Sequence, residues 1–132
     1  MIKTMKTTIV LLACLLCSWS AQGQISDEQA VRAIVGEASG EGYKGMLGVA
    51  SAIRNRGHLR GVYGLNAKHS QHESKATWDL ARKAWAESAT RDITGAATHW
   101  DNVSRKTPYW AKSMVVTIRI GRHTFYRPRH NG

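Results

Sequence analysis

Apolar side chains between residues 30 and 38 recur at intervals of three and four, which predicts an amphipathic helix with one buried stripe. Ser26 precedes this helix and Gln29 follows three residues later, which is the capping-box spacing of a helix N-terminus. The two acidic residues directly after Ser26 favour the same start, because carboxylates stabilise the positive end of a helix dipole. Gly40 and Gly42 should end or bend the helix.

A second helix is predicted for residues 43–56 and a third for residues 76–90. The second helix has an apolar face formed by Met46, Leu47, Val49, Ala50 and Ile53. Gly45 and Gly48 each destabilise it by about 1 kcal/mol relative to alanine. Their presence is explained if another helix or a ligand comes close. The third helix places three residues at core spacing, Trp78, Ala81 and Trp85.

The rest of the chain alternates between irregular segments and short regular ones. Residues 57–75 are rich in Gly, His, Ser and Asn and predict a loop, and a turn with a short extended piece is expected within residues 91–102. Pro108 can open one helical turn. Alternation in residues 114–120 and the Gly-Arg-His that follows predict a hairpin, with one strand face formed by Met114, Val116, Ile118 and Ile120. The prediction is one mainly helical α+β domain with a small C-terminal β-hairpin.

The N-terminal segment has the layout of a secretory signal peptide. Lys3 and Lys6 precede the apolar run TTIVLLACLLCSW, and SAQG supplies small residues for cleavage. The run is too short for a comfortable membrane span. Cleavage after Gly23 would leave residues 24–132 as a single domain. A lipoprotein signal with a lipidated Cys14 and an uncleaved anchor are the alternatives.

Cysteine content and charge narrow the class of protein. Both cysteines, Cys14 and Cys17, lie in the predicted signal peptide, so the mature chain would contain no disulfide, thiolate metal site or thiol nucleophile. The chain has 19 Lys and Arg against 9 Asp and Glu, a formal net charge of +10 that favours polyanionic partners. For an exported protein, the carboxylate-bearing bacterial cell wall is favoured. No RNP-type motif, helix-turn-helix signal or zinc knuckle supports specific binding of nucleic acid.

Two glutamates among several glycines, Glu37 and Glu41, are the candidate catalytic acids. At the end of an apolar helix Glu37 would be partly shielded from water, which favours the protonated form that a general acid needs. The alternatives are an exposed helix-end glutamate, or one paired with Arg54 or Arg56. If Glu41 shares the face of Glu37, the two carboxyls could approach the roughly 5 Å separation of a retaining glycosidase pair. Otherwise Glu41 has a structural or supporting role.

The histidines form two further sets of candidate site residues. His69, His72 and Glu73 form the pattern HxxHE, which lacks a third ligand and the spacing of HExxH or HxxEH zinc motifs. A solvated polar cluster is therefore predicted there, and neither a metal nor a cofactor is expected. His99 and His123 lie beside aromatic residues in the predicted extended segments, where they could be structural or could serve a site.

Aromatic residues cluster around the turn near residue 108. Trp100, Tyr109 and Trp110 could line a groove, on which either sugar faces or bases would stack. The sequence contains no GxSxG motif and no phosphate-binding glycine loop. Hydrolases that use a serine nucleophile and nucleotide-dependent enzymes are therefore not indicated.

Four blocks occur in a characteristic order: AIVGEASGEGYKGMLGVASAIRNR, GAATHWDN, PYWAKSM and IGRHTFY. The chain resembles the SleB-type cell wall hydrolase family, typified by the spore cortex-lytic enzymes, from about residue 29 to residue 127. The resemblance implies a lysozyme-like fold related to lytic transglycosylases and the goose-type group. It also implies action on the glycan strand of peptidoglycan. The catalytic acid it implies is the first glutamate of the GEA block, Glu37.

The same resemblance places Thr98 and His99 near the cleft. The other matching positions are expected to shape the site or its floor: Trp100, Asn102, His123 and Tyr126. Two features depart from the family pattern. Trp100 stands where a tyrosine or phenylalanine is common, and residues 59–74 do not match the usual loop.

The reaction implied is cleavage of the bond between N-acetylmuramic acid and N-acetylglucosamine with Glu37 as general acid and base, giving a 1,6-anhydro end. If Glu41 positions a water, a muramidase outcome is favoured instead. The remaining alternatives are an N-acetylmuramoyl amidase, a non-catalytic peptidoglycan-binding module and a secreted nucleic-acid-binding protein. We expect a monomer in the periplasm, in the cell envelope or outside the cell.

Overall fold

A computed structural model describes residues 24–130. The predicted signal peptide and Cys14 lie outside the described residues. The α-helices are α1 (Asp27–Ala38), α2 (Gly42–Arg56) and α3 (Lys75–Ser88), and the 3-10 helices are η1 (Tyr63–Asn66), η2 (Lys68–His72) and η3 (Tyr109–Ser113). The strands are β1 (His99–Asn102), β2 (Met114–Ile120) and β3 (His123–Pro128).

The three predicted α-helices are confirmed, with bounds that shift by one or two residues. The Ser26 hydroxyl accepts a hydrogen bond from the Gln29 amide at 3.2 Å, which satisfies one free donor at the start of α1. Helix α2 ends at Arg56 and is capped by Gly57, whose positive φ of 76° closes the last turn. The apolar stripes of the three helices share one core with Phe125 of the sheet. Trp85 lies in this core and Trp78 packs against its edge, so both aromatic predictions for α3 are confirmed.

Arg54 links α2 to α3 through hydrogen bonds and a cation–π contact. Its guanidinium lies 3.5 Å from the centre of the Trp85 ring, and it donates to the Trp85 carbonyl at 2.8 Å and to the Ser88 hydroxyl at 3.0 Å. The Trp85 indole in turn donates to Asp27 at 2.7 Å. Burial lowers the pKa of Arg54, and the carboxylate of Asp27 opposes this effect. Arg54 therefore has a structural role and is not the partner of Glu37.

The segment 57–75, predicted as an irregular loop, contains the two short helices η1 and η2. Bonds such as Ala67 N–H to the Gly64 carbonyl, at 3.1 Å, connect residues three apart and give it a regular course. The loop prediction was wrong here, because helical turns this short leave no periodic apolar stripe in a sequence.

The sheet has three antiparallel strands in the order β1–β3–β2, so it is one strand wider than the predicted hairpin. Phe125 of the central strand is fully buried over α2. A Cβ on Gly48 would come within 2.8 Å of the Phe125 ring, which explains this glycine. The close neighbour of Gly48 is thus the sheet, and not the helix or ligand that the sequence suggested. Gly45 instead lies against the side chain of Glu41.

Strand β2 does not present the single regular face predicted from its alternation. Val116 is 50% exposed and Ile118 is 36% exposed, whereas Ile120 is buried. The pairing with β3 shifts register between Val116 and Ile118, which is the signature of a β-bulge. Strand β2 is also an edge strand, so part of it faces solvent. No helix among residues 24–130 is both long and apolar enough to cross a membrane.

Candidate active site

Glu37 lies in the last turn of α1, with a half-buried side chain. Its Oε1 accepts a hydrogen bond from the backbone N–H of Gly64 at 2.7 Å. Its Oε2 accepts one from the indole N–H of Trp100 at 3.2 Å. The carboxylate is therefore held between η1 on one side and β1 on the other.

Two glycines allow the Gly64 amide to reach Glu37. A Cβ on Gly64 would lie 2.5 Å from Glu37 Cγ and 2.7 Å from Glu37 N, and a Cβ on Gly36 would overlap the Gly64 carbonyl oxygen. Only backbone without side chains can approach α1 this closely. Gly64 lies in the segment predicted as a loop, and sequence analysis missed its role, because a glycine among loop residues gave no further signal.

Arg56 places a positive charge near Glu37, and His58 lies two residues further along the chain. The sequence analysis named Arg56 only as an alternative ion-pair partner of Glu37 and did not single out His58. The Arg56 guanidinium lies 5.5 Å from the Trp100 ring centre, and it donates to the Arg60 carbonyl at 3.1 Å. Burial lowers the pKa of Arg56, while the charge of Glu37 acts to raise it. Burial also lowers the pKa of His58, and the charges of Arg56 and Arg60 lower it further. The glutamate thus faces a basic helix end, which the R-N-R sequence could have indicated.

Glu41 precedes α2 and contacts the turn between β2 and β3. Its Oε2 accepts a hydrogen bond from the backbone N–H of Arg122 at 3.0 Å. A Cβ on Gly121, which has a φ of +56°, would overlap the same oxygen. The Glu41 carboxylate therefore fits closely against the turn and ties it to the start of α2.

His123 lies close enough to both Glu37 and Glu41 to interact with their charges. It is only 2% exposed, and its Nδ1 has no hydrogen-bond partner among the described residues. Burial lowers the pKa of His123, whereas the negative charges of Glu41, Glu37 and Asp101 act to raise it. The sequence-predicted positions Glu37, Glu41 and His123 are thus brought into one neighbourhood.

An aromatic row extends from His99. The His99 ring lies 5.2 Å from Trp110, and Trp110 lies 5.2 Å from Tyr126 in an edge-to-face arrangement. Thr98 fixes the start of the row, since its hydroxyl shares a 2.8 Å hydrogen bond with His99 Nδ1 and its N–H donates to the Tyr126 carbonyl at 2.9 Å. Burial lowers the pKa of His99, and the charge of Arg56 lowers it further. His99 and Trp110 are half-buried and offer ring surfaces of the kind on which a sugar can stack, whereas Tyr126 is only 7% exposed.

The other polar and aromatic positions singled out in the sequence make local contacts or face solvent. The side-chain oxygen of Asn102 accepts from the Ser104 N–H at 2.9 Å and shapes the turn after β1. Tyr109 is 87% exposed, so of the predicted aromatic cluster it is the member most open to solvent. His69 and His72 are exposed on η2. Between residues 24 and 130 no group of three or more His, Cys, Asp or Glu residues could hold a metal ion.

Two solved structures are similar to this chain over most of its length. One is the catalytic domain of the Bacillus cereus SleB protein, with 25% identity and a TM-score of 0.57, covering 80% of this chain and 94% of that chain. The other is the catalytic domain of the germination-specific lytic transglycosylase SleB from Bacillus anthracis, with 24% identity and a TM-score of 0.57, covering 82% and 98%.

No protein-family profile and no curated protein sequence matches the chain. The structural likeness confirms the resemblance predicted from the sequence blocks, and with it a helix-rich α+β, lysozyme-like fold. Residues 24–130 therefore form a SleB-like catalytic domain in fold.

Proposed function

We propose that the protein is an exported enzyme that cleaves the glycan strands of peptidoglycan, with Glu37 as general acid and base. The observation that carries this proposal is the carboxyl of Glu37, held by Gly64 and Trp100 at a helix end in a SleB-like fold. The similar protein from Bacillus anthracis is described as a lytic transglycosylase, which supports glycosidic-bond cleavage. No cofactor or metal is part of the proposal.

The proposed reaction uses one acid-base group twice. Protonated Glu37 donates its proton to the glycosidic oxygen between N-acetylmuramic acid and N-acetylglucosamine, and the bond from muramic C1 to that oxygen breaks. The C6 hydroxyl of the same muramic residue then forms a bond to C1, and its proton passes to Glu37. Glu37 is again protonated, no water is consumed, and the product is a 1,6-anhydro end.

The surroundings of Glu41 favour this outcome over hydrolysis. A hydrolase needs a second group that activates water or attacks C1. The Glu41 carboxylate instead accepts the Arg122 amide and fits against Gly121. A muramidase reaction assisted by Glu41 is the second candidate, and the chemical form of the product distinguishes the two.

Substrate binding is proposed along His99 and Trp110, whose half-buried rings would contact sugar faces, while the buried Tyr126 packs edge-to-face against Trp110. The basic excess of the chain would add weak attraction to the anionic wall. Because exposed charges are screened by salt, binding to the wall should weaken as ionic strength rises.

Export is proposed to depend on residues 1–23, with cleavage after Gly23. Intact-mass measurement of the protein recovered from the cell envelope or medium tests this. A mature chain beginning at Gln24 would support the proposal, whereas a lipid-modified chain beginning at Cys14 would show a lipoprotein. A chain retaining Met1 would show an uncleaved anchor.

Digestion of purified peptidoglycan, read by mass spectrometry, tests the function. We expect anhydro-muropeptides from the wild type and none from Glu37→Gln. Glu28→Gln is the matched control, because Glu28 lies on the same helix and is exposed. Products heavier by one water would show a muramidase.

Two other outcomes would overturn glycosidic cleavage. Release of stem peptides that EDTA abolishes would show an amidase. Wall binding without soluble product would show a binding module.

A further inference from the structure

Both carboxylate oxygens of Glu37 accept an N–H, Oε1 from Gly64 and Oε2 from Trp100. Two such donors suit an ionised carboxylate, which accepts at both oxygens. A protonated carboxyl has an O–H donor on one oxygen, and that O–H competes with an N–H aimed at the same atom. The hydrogen bond at whichever oxygen takes up the catalytic proton is therefore weakened, because a hydroxyl oxygen is a poorer acceptor than a carboxylate oxygen.

The hydrogen bond from the Gly64 N–H to Glu37 Oε1 cannot lengthen easily. At 2.7 Å it is the shorter of the two, and its donor is backbone. Gly64 also packs tightly against α1. A Cβ on Gly64 would lie 2.7 Å from the Ala33 carbonyl oxygen and 2.7 Å from Glu37 N. Movement of the Gly64 amide would require η1 to separate from α1.

The hydrogen bond from the Trp100 indole N–H to Glu37 Oε2 is the one that can lengthen or break. Its length is 3.2 Å, and its donor is a half-buried side chain that can turn about its own torsions. An indole nitrogen only donates, so it cannot accept the O–H of a protonated Glu37.

From these contacts we infer that Oε2 of Glu37 carries the catalytic proton, and that Trp100 is a positioning residue whose indole N–H holds this oxygen in its ionised form. The inference rests on the proposed role of Glu37 as general acid. Oε1 then stays anchored to Gly64 in both protonation states and fixes the direction in which Oε2 points. The glycosidic oxygen of the substrate takes the place that the indole N–H occupies in the free protein.

Charged groups from the neighbouring elements act on the same equilibrium. Arg56 at the end of α2 is a positive charge that interacts with the carboxylate of Glu37. Glu41 before α2 and Asp101 on β1 are negative charges that surround His123 of β3 together with Glu37. These groups remain when Trp100 is replaced, and a phenylalanine there keeps an aromatic ring beside the Arg56 guanidinium, which lies 5.5 Å from the Trp100 ring centre.

The first experiment needs no substrate, so it stands apart from the proposed function. In ¹H–¹⁵N spectra of the whole protein recorded across pH, we expect the Trp100 indole resonance to move upfield as Glu37 is protonated. The Gly64 amide resonance should stay downfield. Glu37→Gln should abolish the pH-dependent movement of the indole. Movement of the Gly64 resonance with a constant indole would assign the proton to Oε1 and overturn the inference.

The second experiment measures the pH profile of glycan cleavage for Trp100→Phe, which keeps an aromatic ring and removes the N–H. An acid catalyst is lost as pH rises, and the indole favours the ionised form. The alkaline limb of kcat/KM should therefore move to higher pH by about one unit, the size expected for a hydrogen bond to a charged group. Trp78→Phe is the matched control, since Trp78 packs at the core edge on α3.

An alkaline limb of Trp100→Phe that coincides with the wild type would overturn the inference even if cleavage depends on Glu37. An equal shift in Trp78→Phe would also overturn it. If Trp100→Phe does not fold, the wild-type spectra still decide which oxygen binds the proton. If only the proposed function fails, the indole and Gly64 resonances should respond to pH as described, but the wall should not be cleaved.

Discussion

Gly36 of α1 and Gly64 of η1 lie backbone against backbone, so closely that a Cβ on Gly36 would overlap the Gly64 carbonyl oxygen. This contact sets the separation between helix and loop. It also determines where the Gly64 amide points, which is at Oε1 of the neighbouring Glu37, 2.7 Å away. A packing requirement and the position of the candidate catalytic acid thus depend on the same pair of glycines.

Replacing Gly64 with alanine should therefore impair both stability and activity. The new methyl would meet Glu37 Cγ, Glu37 N and the Ala33 carbonyl, and overpacking of this kind typically destabilises by about 1–3 kcal/mol. Urea unfolding and wall digestion measure the two effects. Gly40→Ala is the control, because nothing lies within 4 Å of a Cβ there. Equal stability of the two variants would contradict the close contact.

Glu41→Gln should loosen the turn between β2 and β3 and leave the product unchanged. The amide of glutamine is a weaker acceptor for the Arg122 N–H than a carboxylate, so a loss of about 1 kcal/mol is expected. Thermal unfolding measures the loss, and mass spectrometry of the digest identifies the product. Glu73→Gln provides a control for the removed charge. A hydrated product from the wild type that disappears only in Glu41→Gln would instead make Glu41 a participant in hydrolysis.

Gly48→Ala should destabilise the contact between α2 and the sheet. Alanine favours a helix by about 1 kcal/mol, but its methyl would lie 2.8 Å from Phe125 Cζ and 3.2 Å from Ile120 Cδ1. Overpacking should outweigh the helix gain and give a net loss of about 1 kcal/mol. A double-mutant cycle with Phe125→Leu tests this in urea, since the smaller side chain should reduce the effect of the added methyl. Additive effects of the two substitutions would argue against the contact.

Stability should decline as pH falls from about 7 to 5. Burial lowers the pKa of His58, His99 and His123, so below the ordinary histidine value of about 6.5 the unfolded chain binds more protons than the folded one. Under linkage, stability then rises with pH across that window. His123→Phe should flatten the dependence of the urea midpoint on pH. His72→Gln, at an exposed position, should leave it as in the wild type.

Several local features were predictable from the sequence alone. The spacing of apolar residues and the Ser26 cap define α1, and they place Glu37 in its last turn. The order of the GEA, ATH and HTFY blocks indicated the fold that the SleB catalytic domains confirm. These signals are readable because they depend on residues close together in the chain.

Only the tertiary structure decided what surrounds Glu37. Its two hydrogen-bond donors, Gly64 and Trp100, lie 27 and 63 residues away in sequence. One is a backbone amide in a segment with no periodic pattern, and the other belongs to a strand that forms only by pairing with β3. The position of a donor relative to an acceptor depends on how closely helices, turns and strands pack. Packing distances of this kind are set by excluded volume between distant residues, which local patterns do not encode.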